Sequence, residues 1–356
     1  MSEPADIWTI KAALDWTVGF LERKGDEHAR LSAEWLLSEA TGLRRIDLYV
    51  NFERPLSMGE RDVLRDFVAR RASGEPLQYI TGEVAFRHIA VKVRPGVLIP
   101  RPETEVLVSE ALALLPAPER RCAVDSLSYT ELEELLAPKE GADESLDSEE
   151  GAQELLVPKE KAEEPLALES TARSSGALAL DSSCAPLVAD LCTGSGCIAC
   201  SVAYERPRAR VVATDLSPEA VALARENVAA LGLEDRVRVL QCNLADGIPE
   251  RLNESFDLVV SNPPYIPDRV MGNLPSEVSD FEPELALAGG PDGLDVFREM
   301  LPAMRRLLRA GGAFACELHE ECLDEAAALA RDAGYASVEV KTDLTGRPRI
   351  LIGRKL

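Results

Sequence analysis

Between about residues 6 and 75 the apolar positions recur at helical spacing. Ile10, Ala13, Leu14, Val18 and Leu21 form one set, Ala29, Leu31, Ala33, Leu36 and Leu37 a second, and Val63, Phe67 and Val68 a third. Recurrence every three to four residues lays an apolar stripe along one helix face. Gly25, Gly42 and Pro55 punctuate the stripes, so the stretch predicts a small helical bundle. The period then shortens. Residues 78–86 and 89–93 read as two short strands, with Arg87-His88 at the turn of a hairpin. Pro100-Arg101-Pro102-Glu103-Thr104-Glu105 opens a helix running to about Leu115. Proline suits a first helical turn, and acids suit its positive end.

From 187 short apolar runs alternate with helical stretches. Strands are expected at 187–191, 210–214, 237–240, 256–261 and 313–318, with final strands at 337–341 and 349–352. Helices are expected after the first strand, at 218–231, near 293–309 and near 322–333. This alternation predicts an α/β fold: an N-terminal helical bundle, then a Rossmann-like, doubly wound sheet with an antiparallel edge strand. The expected domains are 1–76, a helical unit, 77–97, a β-hairpin linker, and 98–356, the α/β domain.

Residues about 117–186 break the pattern. Across 131–164 there are 13 acidic and 3 basic residues, a net −10 out of −23 for the whole chain. Glu134-Leu135-Leu136-Ala137-Pro138-Lys139-Glu140 returns imperfectly as Glu154-Leu155-Leu156-Val157-Pro158-Lys159-Glu160. Two copies are too few for a solenoid. The composition fits a solvated acidic insertion in the α/β domain. An acidic docking segment for a basic partner is the alternative.

The remaining composition narrows the function classes. A chain of 356 residues, 46% hydrophobic, holds enough for two domains and a core. Its acidity argues against direct nucleic-acid binding, which needs a Lys/Arg face. No run approaches the roughly 18 apolar residues of a membrane span. Met1-Ser2-Glu3-Pro4-Ala5-Asp6 lacks a charged region followed by an apolar one, so no signal peptide is expected. A cytoplasmic protein with its eight cysteines reduced is the expectation. Cys197 and Cys200 form one C-x-x-C, read as small buried helix residues rather than a redox pair. With three histidines and no second C-x-x-C, no metal site is expected.

Two motifs carry chemistry. Asp190-Leu191-Cys192-Thr193-Gly194-Ser195-Gly196-Cys197-Ile198-Ala199 is a strand–turn–helix glycine loop. Such a loop brings backbone N–H groups and a helix N-terminus close to a ligand. Gly194, Gly196 and Ala199 also satisfy G-x-G-x-x-A, and Asp215 could accept ribose hydroxyls, so a nicotinamide enzyme stays open from this piece alone. Asn243-Leu244, after the third strand, could meet an adenine amine and its ring face. The second motif is Asn262-Pro263-Pro264-Tyr265, at the carboxyl end of an apolar strand. Two prolines fix the corner, leaving an Asn amide and carbonyls as fixed acceptors beside an aromatic ring. A planar –NH2 group suits such a pocket, and a nicotinamide site gives no reason for it.

These motifs resemble the class I S-adenosylmethionine-dependent methyltransferases, and within them the protein-(glutamine-N5) methyltransferases of peptide chain release factors. Pro76-Leu77-Gln78-Tyr79-Ile80-Thr81-Gly82, Leu98-Ile99 with the Pro100–Glu105 motif, and Phe281-Glu282-Pro283 with Gly289-Gly290 and Asp292-Gly293-Leu294 extend the resemblance. It covers all but about 117–186. It implies S-adenosyl-L-methionine held by Cys192, Thr193, Gly194, Ser195, Gly196, Asp215, Asn243, Leu244 and Asn262. It implies catalysis by Asn262, Pro263 and Tyr265, with substrate held by Asn262, Pro263, Pro264 and Tyr265. The substrate implied is the Gln of a release factor's Gly-Gly-Gln loop. The alternatives are a ribosomal-protein glutamine, a nucleic-acid amine, or a non-catalytic protein-binding module. The family usually has Gly where Cys192 stands, Asp where Asn243 stands, Arg near Ser279, and Gly and Gln where His319 and Cys322 stand. Cys192 fits its position if φ is negative; a positive φ strains it by about 1–3 kcal/mol.

Overall fold

The computed structural model describes residues 8–115 and 185–356. The acidic insertion and its repeat lie outside the described residues.

The N-terminal unit packs α1 (Ile10–Arg23), α2 (Ala29–Thr41), α3 (Arg45–Val50) and α4 (Met58–Ala72). Thr9 Oγ1 accepts from Ala12 N at the start of α1. Ser57 and Glu60 form a reciprocal capping box on α4. Most of the predicted stripes meet inside the bundle, where Ile10, Leu14, Leu36, Leu37 and Val68 share one core with Leu64, whereas Leu31 and Val63 of those stripes are exposed.

Residues 78–81, expected as strand, are helical instead: α5 (Leu77–Thr81). Pro76 precedes the helix, and Gly82 closes it in the left-handed region at φ 77°. Ile80 enters the bundle core. The buried Tyr79 donates its hydroxyl to the Val97 carbonyl at 2.8 Å. The hairpin is correspondingly shorter, β1 (Glu83–Phe86) against β2 (Ile89–Lys92), and the turn is at Arg87-His88 as predicted. Then follows α6 (Pro102–Leu114).

The second unit adds β3 (Leu187–Leu191), α7 (Cys197–Glu205), β4 (Arg210–Asp215), α8 (Pro218–Ala230), β5 (Val237–Gln241) and β6 (Phe256–Ser261). Two short turns follow, α9 (Asp268–Met271) and α10 (Ser276–Ser279). The chain closes with α11 (Asp295–Leu307), β7 (Leu308–Glu317), α12 (Leu323–Asp332), β8 (Tyr335–Thr342) and β9 (Pro348–Lys355). The seven-stranded order is β5-β4-β3-β6-β7-β9-β8. The first five are parallel, and the antiparallel departure lies at the edge, where β9 runs against both β7 and β8.

Both sheet faces are covered. Val188, Leu258 and Val260 face the core made with α6, α7 and α8. Ala189, Leu191 and Val259 face the opposite core, with α11 and α12. Burial on both sides accounts for the near-continuous apolar runs of these strands. Cys197 and Cys200 are buried in α7, as expected of packing residues. No described helix is long and apolar enough to cross a membrane.

The chain builds β3, β4 and β5 outward in one direction, then returns to place β6 on the other side of β3. That reversal is a topological switch point, where open α/β sheets bind ligands. Arg71 joins the bundle to this end of the sheet, donating to Asp26 at 2.8 Å and to Glu277 at 2.7 Å.

Candidate active site

The switch point holds a cavity of about 750 Å³. The glycine loop after β3 forms its floor, with Asp215 at the end of β4 on one side and Asn262 after β6 on the other.

The loop is held by its own backbone and by two acids. Thr193 N donates to the Thr214 carbonyl, and Gly196 N to the Thr193 carbonyl, both at 2.9 Å. Asp215 Oδ2 accepts from Gly194 N at 2.8 Å, and Oδ1 from Ser217 N at 2.9 Å. Burial raises the Asp215 pKa, and these backbone N–H groups pull it back. Gly196 has φ 80°, and a Cβ there would stand 3.1 Å from that of Ala224, so a side chain would press the loop off α8. Cys192 sits at φ 58°, the conformation its usual glycine would adopt freely. The thiol position is therefore strained, at about 1–3 kcal/mol.

Asp190 lies under the loop with no exposure. Its Oδ2 accepts from Thr193 Oγ1 at 2.6 Å and Ala199 N at 3.1 Å, while Oδ1 has no partner among the described residues. Burial pushes its pKa up to about 7. A raised folded pKa stabilises the fold fully below the unfolded value near 3.8, and that contribution is lost as pH rises through about 7. Asp190→Asn is therefore expected to melt above the unsubstituted chain at alkaline pH, with the gap narrowing on acidification. Thermal midpoints of the two chains without cofactor, at both pH extremes, check this; a pH-independent gap contradicts it.

Asn262 is half-buried at the cavity wall. Its Nδ2 donates to Thr104 Oγ1 at 3.1 Å. Thr104 Oγ1 in turn donates to Glu317 Oε2 at 2.8 Å. The other oxygen of Glu317 accepts the Tyr265 hydroxyl at 2.9 Å. Among the described residues, no protein group donates to Asn262 Oδ1 or to the Pro263 carbonyl. Ser261 Oγ, one residue before Asn262, ties the end of β6 to the Leu191 carbonyl at 2.6 Å.

Most of the predicted residues meet at this cavity. Residues 192–195 of the loop, Asp215, the Asn243-Leu244 turn, Asn262 and Pro264 all border it. Leu244, at φ 45°, is pinned through its carbonyl by Thr214 Oγ1 at 2.7 Å. Gly196, Pro263 and Tyr265 do not border it: Gly196 packs on α8, Pro263 is buried, and Tyr265 is turned to Glu317. Two wall segments carry residues the sequence reading left without a role. One is 96–104, and the other is 283–288 after β6. They are joined by Arg101, whose guanidinium donates to the buried Glu282.

The cavity suits a cationic nucleoside. Asp215 presents a carboxylate beside the glycine loop, and Glu219 adds a second acid to the cavity lining. S-adenosyl-L-methionine carries two positive centres and a ribose diol that match these acceptors.

Comparisons with known proteins agree. The PrmC N-terminal domain matches residues 12–82, and the methyltransferase small domain matches 177–273. The release factor glutamine methyltransferase of Geobacter sulfurreducens is 36% identical over 99% of this chain and 99% of its own. That of Moorella thermoacetica is 36% identical over 97% of this chain and 98% of its own. That of Rhodopirellula baltica is 33% identical over 98% and 97%. A methyltransferase of solved structure from Pyrococcus furiosus is 21% identical over 48% of this chain and 75% of its own, at TM-score 0.37, too slight a likeness to argue from. With relatives of this identity running its whole length, the chain belongs to the family of release factor glutamine methyltransferases, enzymes that use S-adenosyl-L-methionine.

Proposed function

We propose that this chain methylates the side-chain amide nitrogen of the glutamine in the Gly-Gly-Gln loop of peptide chain release factors. The observation that carries the reading is the unengaged Asn262 Oδ1 at the cavity wall, across the glycine loop from Asp215. S-adenosyl-L-methionine supplies a methyl group on a positively charged sulfur. Asp215 holds the ribose by accepting its hydroxyls, and the Asn243-Leu244 turn receives the adenine. Asn262 Oδ1 and the Pro263 carbonyl accept the two N–H bonds of the substrate amide.

An amide nitrogen is a poor nucleophile because its lone pair is delocalised. Fixing both N–H bonds turns the nitrogen toward the methyl group, and orientation of this kind is worth up to about 7–11 kcal/mol. Acceptors at the N–H bonds also stabilise the positive charge that grows on nitrogen as the new bond forms. As the N–CH3 bond forms and the S–CH3 bond breaks, one amide N–H proton leaves to solvent water, keeping charge and atoms in balance.

Asp215→Ala is expected to weaken cofactor binding about ten- to a hundredfold, the loss of one or two hydrogen bonds to a charged acceptor. Calorimetry with S-adenosyl-L-methionine measures it; unchanged affinity contradicts the ribose assignment.

The direct test is transfer of labelled methyl from S-adenosyl-L-methionine to purified release factors. A release factor with the loop Gln replaced by Ala, ribosomal proteins and nucleic acid form the control arms. Label in the intact release factor alone supports the reading. Label in a control arm and not in the release factor overturns it.

A further inference from the structure

We infer that Thr104 and Glu317 are positioning residues that decide which end of the Asn262 amide faces the substrate. The inference rests on the functional reading above and deepens it.

An asparagine amide is nearly symmetric in shape, and its oxygen and NH2 exchange places by a half-turn about the last side-chain bond. The two orientations are opposite in chemistry. With Oδ1 inward Asn262 accepts from a substrate –NH2; with Nδ2 inward it offers donors and repels the same group. Something must select between them, and the proline corner cannot, because it acts on the backbone.

The selection follows from counting donors. An ionised carboxylate only accepts. Glu317 Oε1 takes the Tyr265 hydroxyl at 2.9 Å and Oε2 takes the Thr104 hydroxyl at 2.8 Å. Thr104 has one hydroxyl hydrogen, and Glu317 uses it. Thr104 can then only accept from Asn262, which must turn Nδ2 to it, as it does at 3.1 Å. Oδ1 is left for the cavity. Thr104 and Glu317 are 2% and 1% exposed, so water does not compete for these bonds. Burial lifts the Glu317 pKa, Glu103 adds to the lift, and the Thr104 and Tyr265 hydroxyls with Arg349 oppose it.

The chain also has reason to bring three distant segments together here. Thr104 stands in the first turn of α6, Glu317 ends β7, and Asn262 follows β6. α6 packs over β6 and β7 through Leu107, Val108 and Ala111. That apolar packing sets Thr104 between the two strand ends, so the α6 register and the Asn262 orientation are coupled.

The test compares four chains with a release factor and saturating S-adenosyl-L-methionine: unsubstituted, T104V, T104S and E317Q. Valine keeps the shape of threonine and removes the hydroxyl. T104V is expected to lower kcat about ten- to a hundredfold, with KM for the release factor and affinity for S-adenosyl-L-methionine changed less than about threefold. T104S restores the hydroxyl and is expected to recover kcat to within about threefold of the unsubstituted chain. In E317Q the new NH2 can donate to Thr104, which then donates to Asn262 Oδ1 and reverses the amide; kcat is expected to fall at least about tenfold. Should T104V fail to fold, T104S against E317Q carries the same comparison.

T104V at the unsubstituted rate overturns the inference. So does T104S as slow as T104V, which would make the position one of shape alone, and so does E317Q at the unsubstituted rate. If the unsubstituted chain leaves the release factor unmethylated, the functional reading fails and takes this inference with it. If it methylates the release factor and T104V does so equally well, only this inference fails.

Discussion

Asn262→Ala is expected to reduce methyl transfer at least about a thousandfold, while S-adenosyl-L-methionine still binds. On the function proposed above, the substitution removes the acceptor that holds the substrate nitrogen in line and leaves the proline corner in place. It costs the fold little. Among the described residues Asn262 makes one side-chain hydrogen bond, to Thr104, and it is only half-buried. On the same reading, cofactor affinity rests mainly on the other side of the cavity, where Asp215 and the glycine loop are held by bonds that do not involve Asn262. Turnover and calorimetric affinity, measured on the same preparation, separate the two effects. Turnover within tenfold of the unsubstituted chain contradicts the role. So does a loss of cofactor affinity as large as the loss of turnover.

The second large effect is expected at two glycines that touch no ligand. Gly289 and Gly293 pack against the backbone of Tyr265. A Cβ on Gly289 would lie 2.7 Å from both the Tyr265 carbonyl carbon and its Cα, and one on Gly293 would lie 2.5 Å from the Tyr265 carbonyl oxygen. Gly293 also has φ 83°, where an L side chain is strained. Backbone cannot swing aside as a flexible side chain does, so the added methyl must displace the Asn262–Tyr265 turn. Overpacking of this kind costs about 1–3 kcal/mol of stability. The larger effect is on catalysis, because a displacement of about 1 Å in a positioned group costs on the order of a hundredfold in rate. Gly289→Ala and Gly293→Ala should therefore lose kcat far more than they lose stability. Gly59, near the start of α4, has nothing within 4 Å of its Cβ position. Gly59→Ala is the control, expected to be neutral or to stabilise by up to about 1 kcal/mol. Thermal midpoints alongside kcat decide it. Gly289→Ala with unsubstituted kcat contradicts the account of the turn as rigidly supported.

Much of the α/β unit was legible because its signals are local. β3 and β6 have the bounds 187–191 and 256–261 that their apolar runs predict, since strands buried on both faces are mostly apolar, with Asp190 in β3 and Asp257 and Ser261 in β6 as the exceptions. The glycine loop, Asp215 and the Asn262–Tyr265 turn are each short contiguous motifs at strand ends. Residues 78–81 were misread because five residues cannot distinguish a strand from a single helical turn. What decides them is tertiary: Ile80 in the bundle core, and the Tyr79 hydroxyl on the Val97 carbonyl.

The same limit explains what was missed in the site. Thr104 lies inside the Pro100–Glu105 motif, where only its neighbouring acids Glu103 and Glu105 stand out, as charges suited to the positive end of the helix. Its partner Glu317 is 213 residues away, and nothing in the local pattern of either joins them. The Arg101–Glu282 bond spans 181 residues and is equally silent in sequence. For Cys192 the sequence posed the right question, the sign of φ, and only the structure answers it, at 58°. The strain therefore falls in the glycine loop and not in the Asn262–Tyr265 turn.

The measurement that bears most directly on the central claim is the location of the transferred methyl. A release factor incubated with this chain and S-adenosyl-L-methionine is digested, and the peptide holding the Gly-Gly-Gln loop is sequenced by tandem mass spectrometry. The account predicts one added methyl on the side-chain nitrogen of that glutamine, absent when the Asn262→Ala chain is used. A methyl on any other residue, or an equal yield from Asn262→Ala, would contradict it.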